Sequence, residues 1–439
     1  MGLQRRGLPY SLELDIIQNR DIPLNTSIVA GRPMLLASAI TLMVMLVGCQ
    51  ELILTTGSGN APDTTTVDSG LPDITGSDAP KCDPGVFAAK SATVTTSSAP
   101  AMVVPNSYIV VLNDGVGDAA ISELRGTPAM AKFAASDKVF HSALNGFAGQ
   151  MTAAQADRLR SDSRVKYIER NYRVQLDPRD ITSNSTSGQA IPWGVSKVGG
   201  SRDGSGRTAW IIDTGIDLYN PDLNVDLARS RNFVDEVGTP AMDGNGHGTH
   251  IAGIIGARDN SIGVVGVAAN AQLVAVRVLN DTGAGDYSTI IEGIDYVTAN
   301  ARSGDVINLS LGGPASRALD DAVRRAAARG IKVVVAAGNE MEDAGLSSPS
   351  RVDYPGVYTV SAFDINGDMA SFSNYGSVVD VSAPGVRILS TRVGGGTVYM
   401  SGTSMAAPHV AGLLLFGSLH GSGYVTGDPD GCDDAIAYR

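Results

Sequence analysis

The chain has 439 residues, which is long enough for more than one domain. It carries 33 basic and 45 acidic side chains, a formal net charge of −12, and this balance argues against nucleic acid as a partner because phosphate binding needs a basic surface. The 52 glycines and a charged fraction of only 18% favour a compact, loop-rich α/β body.

The first 49 residues predict a targeting segment. Residues 34–48 form an apolar run that is too short to span a bilayer comfortably, and four arginines precede it. The Leu-Val-Gly-Cys sequence that ends at Cys49 is similar to the lipobox of bacterial lipoproteins, which implies cleavage before Cys49, acylation of its thiol and a lipid anchor. An ordinary secretory signal with a coincidental cysteine is the alternative. The long stretch before the apolar run also leaves a translation start near Met34 open.

Composition changes twice before residue 190. Residues 50–105 are rich in Thr, Ser, Gly, Asp, Ala and Pro and nearly lack aromatic side chains, so they predict a disordered linker. Residues 106–180 instead alternate short strands and helices, with strand patterns at 107–112 and 165–170 and a helical stretch at 153–160. The second region therefore predicts a small α+β domain.

Two polar side chains lie next to predicted strand and helix ends, where α/β proteins usually hold functional groups. The apolar run Ala209–Ile212 predicts a buried strand with Asp213 at its carboxyl end, the edge at which open parallel sheets hold functional groups. Residues 244–253 form a glycine-rich loop that delivers His247 just before an apolar helix. His250 lies three positions further on and points elsewhere, so we expect a structural role for it.

A serine stands at the start of a third apolar stretch. Ser404 follows Gly402 by two residues, in a pattern that predicts a turn and then a helix. Unpaired N–H groups and the positive end of the helix dipole can stabilise an oxyanion beside the Ser404 hydroxyl. Serine is also a common helix cap, so this residue alone leaves both roles open. Asp213, His247 and Ser404 occur in the order of one of the known catalytic triads.

A fourth motif ends in an amide. Val333–Ala337 predicts a buried strand, and Gly338 and Asn339 follow it. An Asn after a Gly is ordinary turn chemistry when taken alone. With all four motifs in view, the chain resembles the subtilisin-like serine proteases over residues 106–415. The sequence between the motifs is most similar to the proteinase K branch.

The resemblance implies a fold and an activity. The fold is an α/β, subtilisin-like, mostly parallel sheet with helices on both faces, spanning 188–439 and preceded by a small α+β, ferredoxin-like inhibitory pro-domain at 106–180. The matched motifs imply Ser404 as nucleophile, His247 as general base and acid, Asp213 as orienting carboxylate and Asn339 as an oxyanion donor. The activity implied is that of a secreted serine endopeptidase, made as a self-processing zymogen.

The small domain is expected to act as an intramolecular inhibitor. Members of this family have a βαββαβ pro-domain that templates the catalytic domain and then lays the segment after its last strand in the active-site cleft. The resemblance therefore implies cleavage within residues 177–188. An independent binding module is the alternative.

Three segments resemble the family's substrate-binding edges, which implies protein or peptide substrates bound as an added strand. They are one wall of the specificity cleft (Ser310, Leu311, Gly312, Gly313), the opposite wall (Ala336, Ala337, Gly338) and the upstream edge strand (Gly283, Gly285, Tyr287). Because both walls consist of small, uncharged residues, we expect a broad preference for apolar or aromatic side chains before the scissile bond. Glycine turns are also ordinary strand connections.

Two groups of oxygen-bearing residues resemble calcium sites. The first is implied by similarity to the calcium loop of the subtilisins, and the second by similarity to proteinase K. Six oxygen ligands suit Ca²⁺, whereas a surface turn and a solvated aspartate are the alternatives. The first set is Gln189, Asp222 and Asn260 with the carbonyls of Arg258, Ile262 and Val264; the second is Asp380 with the carbonyls of Pro355 and Val357.

The C-terminus departs from the family pattern. Only 35 residues follow Ser404, so we expect the family's C-terminal helix to be shortened or replaced. Residues 427–434 are turn-rich and acidic, which favours a solvated tail over a cation-binding loop. If Cys49 is acylated, Cys82 and Cys432 are the only cysteines left to pair.

A surface module that binds peptides without cleaving them is the competing hypothesis for the whole chain. A binding role alone would not require Asp213, His247, Asn339 and Ser404 together, so the sequence favours the enzyme.

Overall fold

The computed structural model describes residues 102–126, 138–176, 179–184, 188–234 and 238–439. The predicted targeting segment, Cys49 and nearly all of the predicted linker lie outside these residues. Within the described ranges, no helix combines the length and the apolar character that crossing a membrane requires. All described residues belong to one compact unit.

The N-terminal subdomain, residues 102–176, is an antiparallel sheet with two helices. Its strand order is β2-β3-β1-β4, and the element order is the βαββαβ that the resemblance implies. The first strand begins four residues before the predicted boundary at 106. The elements are β1 (Met102–Leu112), α1 (Asp118–Gly126), β2 (Lys138–Phe140), β3 (Gly146–Gln150), α2 (Ala153–Arg160) and β4 (Val165–Gln175).

Both faces of this small sheet are buried. The strand period of two sends Val110 and Leu112 towards α1 and α2 and sends Ile109 and Val111 to the opposite face. On that opposite face they join a hydrophobic cluster with residues of the main body. The subdomain is therefore held against the rest of the protein by an apolar face.

The main body, residues 188–439, contains most of the remaining elements, and one strand, β5 (Arg179–Asn184), precedes it. The elements up to the fifth helix are α3 (Trp193–Lys197), β6 (Arg202–Asp203), β7 (Thr208–Asp213), β8 (Arg231–Asn232), α4 (His247–Gly256), β9 (Ala268–Ala269), β10 (Gln272–Arg277), β11 (Ala284–Asp286) and α5 (Tyr287–Asn300). The elements that follow are β12 (Val306–Leu309), β13 (Gly313–Pro314), α6 (Arg317–Ala328), β14 (Lys332–Ala336), the 3₁₀ turn Ala344–Leu346, β15 (Ser347–Ser348), β16 (Val357–Phe363), β17 (Val381–Pro384), β18 (Ile388–Thr391), β19 (Thr397–Ser401), α7 (Thr403–Leu414), β20 (His420–Tyr424) and β21 (Ala435–Tyr438).

A nine-stranded sheet forms the centre of the main body, in the order β8-β10-β7-β12-β14-β16-β17-β21-β20. Its pairs are parallel except for β20 with β21. Strands such as β7 and β14 are almost wholly apolar, which is typical of parallel sheets covered on both faces. Residues of α4 and α7 share one buried cluster with Ile211, and residues of α5 and α6 share the other with Ile212. The predicted mostly parallel sheet with helices on both faces is confirmed.

Two strands follow α7 in the described residues. After α7, β20 pairs with β21, and β21 continues the central sheet through Ser382 opposite Ile436. The acidic loop between these strands is packed: Asp428 is only 8% exposed and Asp434 accepts a hydrogen bond from Ser361 at 2.5 Å. The interpretation of this loop as a solvated tail is therefore wrong. Cys432, in the same loop, is disulfide-bonded.

Candidate active site

Asp213 ends β7 at the carboxyl edge of the central sheet and is fully buried. Its Oδ1 accepts the backbone N–H of Thr214 at 2.7 Å. A Cβ at Gly248 would collide with the carbonyl oxygen of Gly215 and would lie 3.2 Å from Asp213 Oδ1. The loop that carries the imidazole can therefore approach this carboxylate only because a glycine lies at position 248.

His247 begins α4, directly after Gly246, whose φ of 108° favours glycine. Its Nδ1 lies 2.9 Å and 3.0 Å from the two carboxylate oxygens of Asp213, so Nδ1–H donates to that group and Nε2 is the atom left to accept a proton. The side chain is 12% exposed. Burial lowers the pKa of His247, but the charge and hydrogen bond of Asp213 and the charge of Asp243 outweigh it and raise the pKa above its usual 6.5.

Asp243 is a functional residue that the sequence reasoning missed. It is buried, and its Oδ1 accepts the N–H groups of Asn245 and Gly246 at 2.9 Å and 2.8 Å. Its Oδ2 accepts the N–H and the hydroxyl of Thr249. One carboxylate thus fixes the glycine-rich loop from both sides of His247. The available signal was an acidic residue immediately before that loop.

Ser404 is the second residue of α7. Its hydroxyl donates to the carbonyl oxygen of Ser310 at 3.2 Å, and the Ser310 hydroxyl donates to the Ser404 carbonyl at 2.9 Å. Among the described residues its hydrogen-bond partner is therefore Ser310, not His247. Nucleophile–base hydrogen bonds often form fully only when substrate is bound. The preceding Gly402 has a φ of 151°, a conformation that side chains rarely adopt.

Two N–H groups lie near Gly402. A Cβ at this position would lie 3.6 Å from the Ser404 backbone nitrogen and 3.7 Å and 3.8 Å from Oδ1 and Nδ2 of Asn339. The Asn339 Oδ1 accepts the N–H and the hydroxyl of Thr403 at 2.9 Å and 3.0 Å. The pair has the chemistry to stabilise an oxyanion.

His250 has the structural role expected for it. The ring is fully buried, and Nε2 lies 3.0 Å and 3.1 Å from the carbonyl oxygens of Ile388 and Val398. Burial lowers its pKa to about 3, so the imidazole is neutral and donates to those carbonyls. This contact joins α4 to β18 and β19.

Two of the three predicted substrate-binding segments contact the start of α7: the Ser310 hydroxyl donates to the Ser404 carbonyl, and the Gly338 N–H donates to the Thr403 hydroxyl at 3.2 Å. Ser310, Leu311, Ala336 and Ala337 are buried. Tyr287 is also buried, and its hydroxyl donates to the Pro314 carbonyl at 2.6 Å. Gly312, Gly313, Gly338, Gly283 and Gly285 complete the set.

The end of the N-terminal subdomain pairs with the predicted upstream edge strand. β4 pairs with β11, with Val174 opposite Gly285, and the N–H of Leu176 donates to the Gly283 carbonyl at 3.0 Å. A Cβ at Gly313 would lie 3.0 Å from a methyl carbon of Val174, which is 4% exposed. The described part of this segment therefore contacts the predicted edge strand as far as Leu176.

Two carboxylates, one from the subdomain and one from the main body, hold the two parts together. Glu169 of β4 accepts the backbone N–H groups of Arg317 and Ala318, at the start of α6, at 3.0 Å and 3.1 Å. In return, Asp295 of α5 accepts the N–H groups of three consecutive residues after β2, among them Ala143 at 2.6 Å. Each carboxylate satisfies backbone donors of the other part.

The residues of the first predicted calcium site converge. Asp222 is 3% exposed, and its two carboxylate oxygens accept from the amide of Asn260 at 2.8 Å and the N–H of Val264 at 3.0 Å. The Gln189 amide lies 2.7 Å from the carbonyl oxygen of Arg258, and the Ile262 N–H donates to the Asn260 Oδ1. Burial raises the pKa of Asp222, more than its hydrogen bonds lower it.

The second predicted calcium site is less assembled. Asp380 Oδ2 accepts the N–H of Thr359 at 2.8 Å, two residues from Val357 along β16. Neither predicted site contains three or more acidic, histidine or cysteine side chains, and the described residues include no such metal-binding group.

A buried Asp–His pair, a serine at a helix N-terminus and two neighbouring N–H groups are the parts of a serine hydrolase of the subtilisin fold. The sequence profile of the subtilase family (peptidase S8) matches residues 204–416, and that of peptidase inhibitor I9 matches residues 107–177. This chain belongs to the subtilase family and carries an I9 inhibitor domain.

Two curated relatives agree with this assignment. The chain is 40% identical over 338 residues to subtilisin-like protease 3 of Arthroderma benhamiae, covering 71% of this chain and 81% of the relative. It is 37% identical over 357 residues to subtilisin-like protease 7 of Arthroderma gypseum, covering 75% and 84%. The chain is also similar to a cold-adapted subtilisin-like serine proteinase of known crystal structure. The sequence identity is 40%, the TM-score is 0.47, and the match covers 51% of this chain and 83% of that one. The protein is a serine endopeptidase.

Proposed function

We propose that this chain is an exported, self-processing serine endopeptidase zymogen with Ser404, His247 and Asp213 as its triad. The observation that carries the proposal is the pair of short contacts between His247 Nδ1 and the Asp213 carboxylate, which leaves Nε2 to act as the base. The serine at the start of α7 supplies the nucleophile.

The proposed reaction has two halves. His247 Nε2 takes the proton of the Ser404 hydroxyl while Oγ attacks the peptide carbonyl carbon, and the oxyanion is stabilised by the N–H of Ser404 and the amide of Asn339. The imidazolium then protonates the leaving amine, the C–N bond breaks and an acyl-enzyme remains. Water, deprotonated by the same imidazole, attacks the ester and regenerates Ser404.

The N-terminal subdomain acts as the pro-domain of this zymogen. Val174 and Leu176 lie along the edge that a substrate would use, and two reciprocal carboxylates hold the subdomain in place. Cleavage within residues 177–188 would remove it; of this range, 177–178 and 185–187 lie outside the described residues. Export through the N-terminal segment and a lipid anchor at Cys49 remain predictions.

The cleft favours apolar or aromatic side chains before the scissile bond. Its proposed walls are Ser310–Gly313 and Ala336–Gly338, and neither segment contains a charged side chain. Binding through backbone edges gives affinity without strong side-chain selection, which supports a broad preference.

A structural Ca²⁺ at the first predicted site fits the residues present. One buried carboxylate, two side-chain amides and three carbonyls form an oxygen set of the kind Ca²⁺ prefers. Asp222 and Asn260 would hold the ion together with Gln189 and the backbone of 258–264, and the ion would neutralise a buried carboxylate whose pKa burial raises. Its contribution would be to tie the residues near 189 to α4.

The direct test is intact mass and casein cleavage of purified protein in calcium-containing buffer, with Ser404→Ala beside the wild type. We expect the wild type to lose mass to a start near Gln189 and to digest casein, and the variant to do neither. Exposed Ser205→Ala is the matched control and should behave as wild type. A wild type that keeps its N-terminal subdomain and cleaves nothing would instead identify a latent, peptide-binding member of the fold.

A further inference from the structure

The loop between β20 and β21 carries four carboxylates that the proposed mechanism does not use. They lie within seven consecutive residues and are Asp428, Asp430, Asp433 and Asp434. In the part of the chain that the structure describes, none of them forms an ion pair with a basic side chain. Because like charges at such spacing repel one another, the loop carries a negative charge that no described ion pair offsets.

One buried oxygen of Asp428 has no hydrogen-bond partner among the described residues. The residue is 8% exposed. Its Oδ1 accepts the backbone N–H of Asp430 at 3.3 Å, whereas Oδ2 is inaccessible to solvent and accepts no hydrogen bond there. A buried carboxylate oxygen is unfavourable unless a donor, a proton or a cation meets it. The burial of Oδ2 therefore points to a cation or a proton that the loop binds.

The neighbouring aspartates act on the same group. Burial, and then the charge of Asp430, raise the pKa of Asp428 to about 6. Burial raises the pKa of Asp434 well above its usual range, against the hydrogen bond from Ser361, and the charges of Asp428 and Asp430 add to this rise. The carboxylates of the loop are thus close enough to raise one another's pKa, and a bound cation would relieve that repulsion.

Backbone hydrogen bonds hold the loop in shape. The Val425 N–H donates to the Asp434 carbonyl oxygen at 3.0 Å and closes the loop at its base. Inside the loop, the Cys432 N–H donates to Asp430 Oδ1 at 2.7 Å. Together with the bond from the Asp430 N–H to Asp428, these contacts keep the two carboxylates side by side, so binding a cation requires little further ordering.

We propose that this loop binds one Ca²⁺ ion between the carboxylates of Asp428 and Asp430. Main-chain oxygens of residues 428–434 and water complete the coordination shell, and two carboxylates neutralise the charge of one divalent ion. The site uses two acidic side chains rather than three, in agreement with the lack of a three-membered acidic, histidine or cysteine group among the described residues. It shares no residue with the two calcium sites that the family resemblance implies, and it does not depend on the proposed protease function.

The donor chemistry favours Ca²⁺ over other metal ions. The donors are oxygens, and the sulfur of Cys432 is in a disulfide, so the loop offers no thiolate to Zn²⁺ or Cu⁺. Mg²⁺ requires a near-ideal octahedron and retains several waters, whereas Ca²⁺ tolerates the irregular geometry of a short loop.

The ion would stabilise the last strand of the central sheet. Asp434 directly precedes β21, which meets β17 through Ser382 opposite Ile436. Because the ion would remove the repulsion within the loop, we expect it to oppose local opening of residues 425–438.

Calcium counting on the full chain tests the site. The parent chain carries Ser404→Ala, which prevents self-cleavage under the proposed function, and is stripped of metal before equilibrium dialysis against CaCl₂ at neutral pH. Asp428→Asn and Asp430→Asn each remove one charge from the site with little change in side-chain size. Asp433→Asn is the matched control, because it removes the same charge from an exposed position of the same loop.

We expect Asp428→Asn and Asp430→Asn to bind one Ca²⁺ ion fewer per chain than the parent, and Asp433→Asn to bind the same number as the parent. Hydrogen exchange locates the loss. At about a tenfold excess of Ca²⁺ over its Kd, exchange of residues 425–438 should be about tenfold slower in the parent and in Asp222→Asn, but not in the two site variants.

Equal calcium counts in all chains, or protection that Asp428→Asn retains, would overturn the proposal. Exchange in the parent that is the same with and without CaCl₂ would show that a proton neutralises Asp428, and would overturn it as well. Unchanged exchange in the rest of the main body is the control that the site variants are folded.

Discussion

The catalytic centre and the interface with the N-terminal subdomain both depend on carboxylates. The two regions differ in how far apart along the sequence each carboxylate and its partner lie. Asp213 and His247 are 34 residues apart, and each lies at the end of a regular element beside a glycine turn. Asp295 and Ala143 are 152 residues apart, and Glu169 and Arg317 are 148 apart. The centre is thus encoded by short motifs, whereas the interface is encoded by the tertiary fold.

The difference also concerns what a carboxylate does once buried. Asp213 faces a titratable imidazole and so affects the chemistry. Glu169 and Asp295 face backbone N–H groups and so affect docking. Changes at the catalytic centre are therefore expected to alter kcat without weakening the binding of the subdomain. Changes at the interface are expected to weaken inhibition without altering kcat.

The largest effect that distinguishes the two regions is expected at Asn339. In Asn339→Asp, the retained Oδ1 can still accept from Thr403, but the amide donor is lost. We expect kcat to fall by about 10²–10³ with little change in KM, as for loss of one oxyanion donor. Steady-state kinetics on a short peptide measure both constants. A rise in KM with kcat unchanged would show that the residue acts in substrate binding.

Removal of the Asp295 carboxylate tests the interface. Asp295→Ala leaves three backbone N–H groups of the subdomain without their acceptor, and we expect inhibition by the subdomain to weaken about 10–100-fold, with kcat of the freed enzyme unchanged. Titration of activity with the separated subdomain measures the inhibition constant. Asp433→Asn, at an exposed position on the main body, is the control. An unchanged inhibition constant would show that Asp295 does not contribute to docking.

The pH dependence of subdomain docking tests the role of Glu169. Burial raises its pKa when docked, against the lowering effect of its hydrogen bonds, so the docked state takes up a proton more readily than the free one. Docking should therefore strengthen as pH falls through the docked pKa towards the usual 4.5 and weaken as pH rises through it. Glu169→Gln should remove this pH dependence. Inhibition constants across that range measure it, and a wild type that binds more weakly on acidification would contradict the assignment.

The pH profile of catalysis gives a separate signature for the centre. The neutral imidazole of His247 is the active base, and its pKa is raised, so kcat/KM should fall about tenfold per pH unit on an acid limb centred above 6.5. The interface variants should leave this limb in place. An acid limb centred clearly below 6.5 would contradict the described environment of His247.

The smallest effect is expected from calcium, which acts on stability rather than chemistry. A chelator should lower the melting temperature by about 5–10 °C, the size that mass action gives for an ion at a hundredfold excess over its Kd in a domain of this size. Asp222→Asn should melt lower and respond less to the chelator. A wild type that is indifferent to chelation would rule out a stabilising ion at this site.

The sequence predicted the parts of this protein that are local. The apolar run before Asp213, the glycines around His247 and the turn at Gly402 each predict an element and its end, and the structure has β7, α4 and α7 there. The α2 bounds, Ala153–Arg160, also agree with the helical stretch predicted at 153–160.

The remaining features depend on distant partners. Nothing near Asp295 indicates that its carboxylate will meet a turn 152 residues earlier. The pairing of β5 with β19 joins segments more than 200 residues apart, and the residues of β5 alone read as a polar loop. The acidic loop around Asp428 was misjudged because its burial depends on strands that continue the central sheet. Sequence patterns report a residue's neighbours along the chain, not those the sheet brings to it.

We infer that Ser404 is a competent nucleophile restrained by the N-terminal subdomain. Labelling with a fluorophosphonate, followed by peptide mass spectrometry, tests it directly on the full chain before and after the subdomain is cut away and displaced. We predict that the label is found on Ser404, slowly or not at all in the intact chain and rapidly after displacement. A freed main body that stays folded and leaves Ser404 unlabelled would contradict the account.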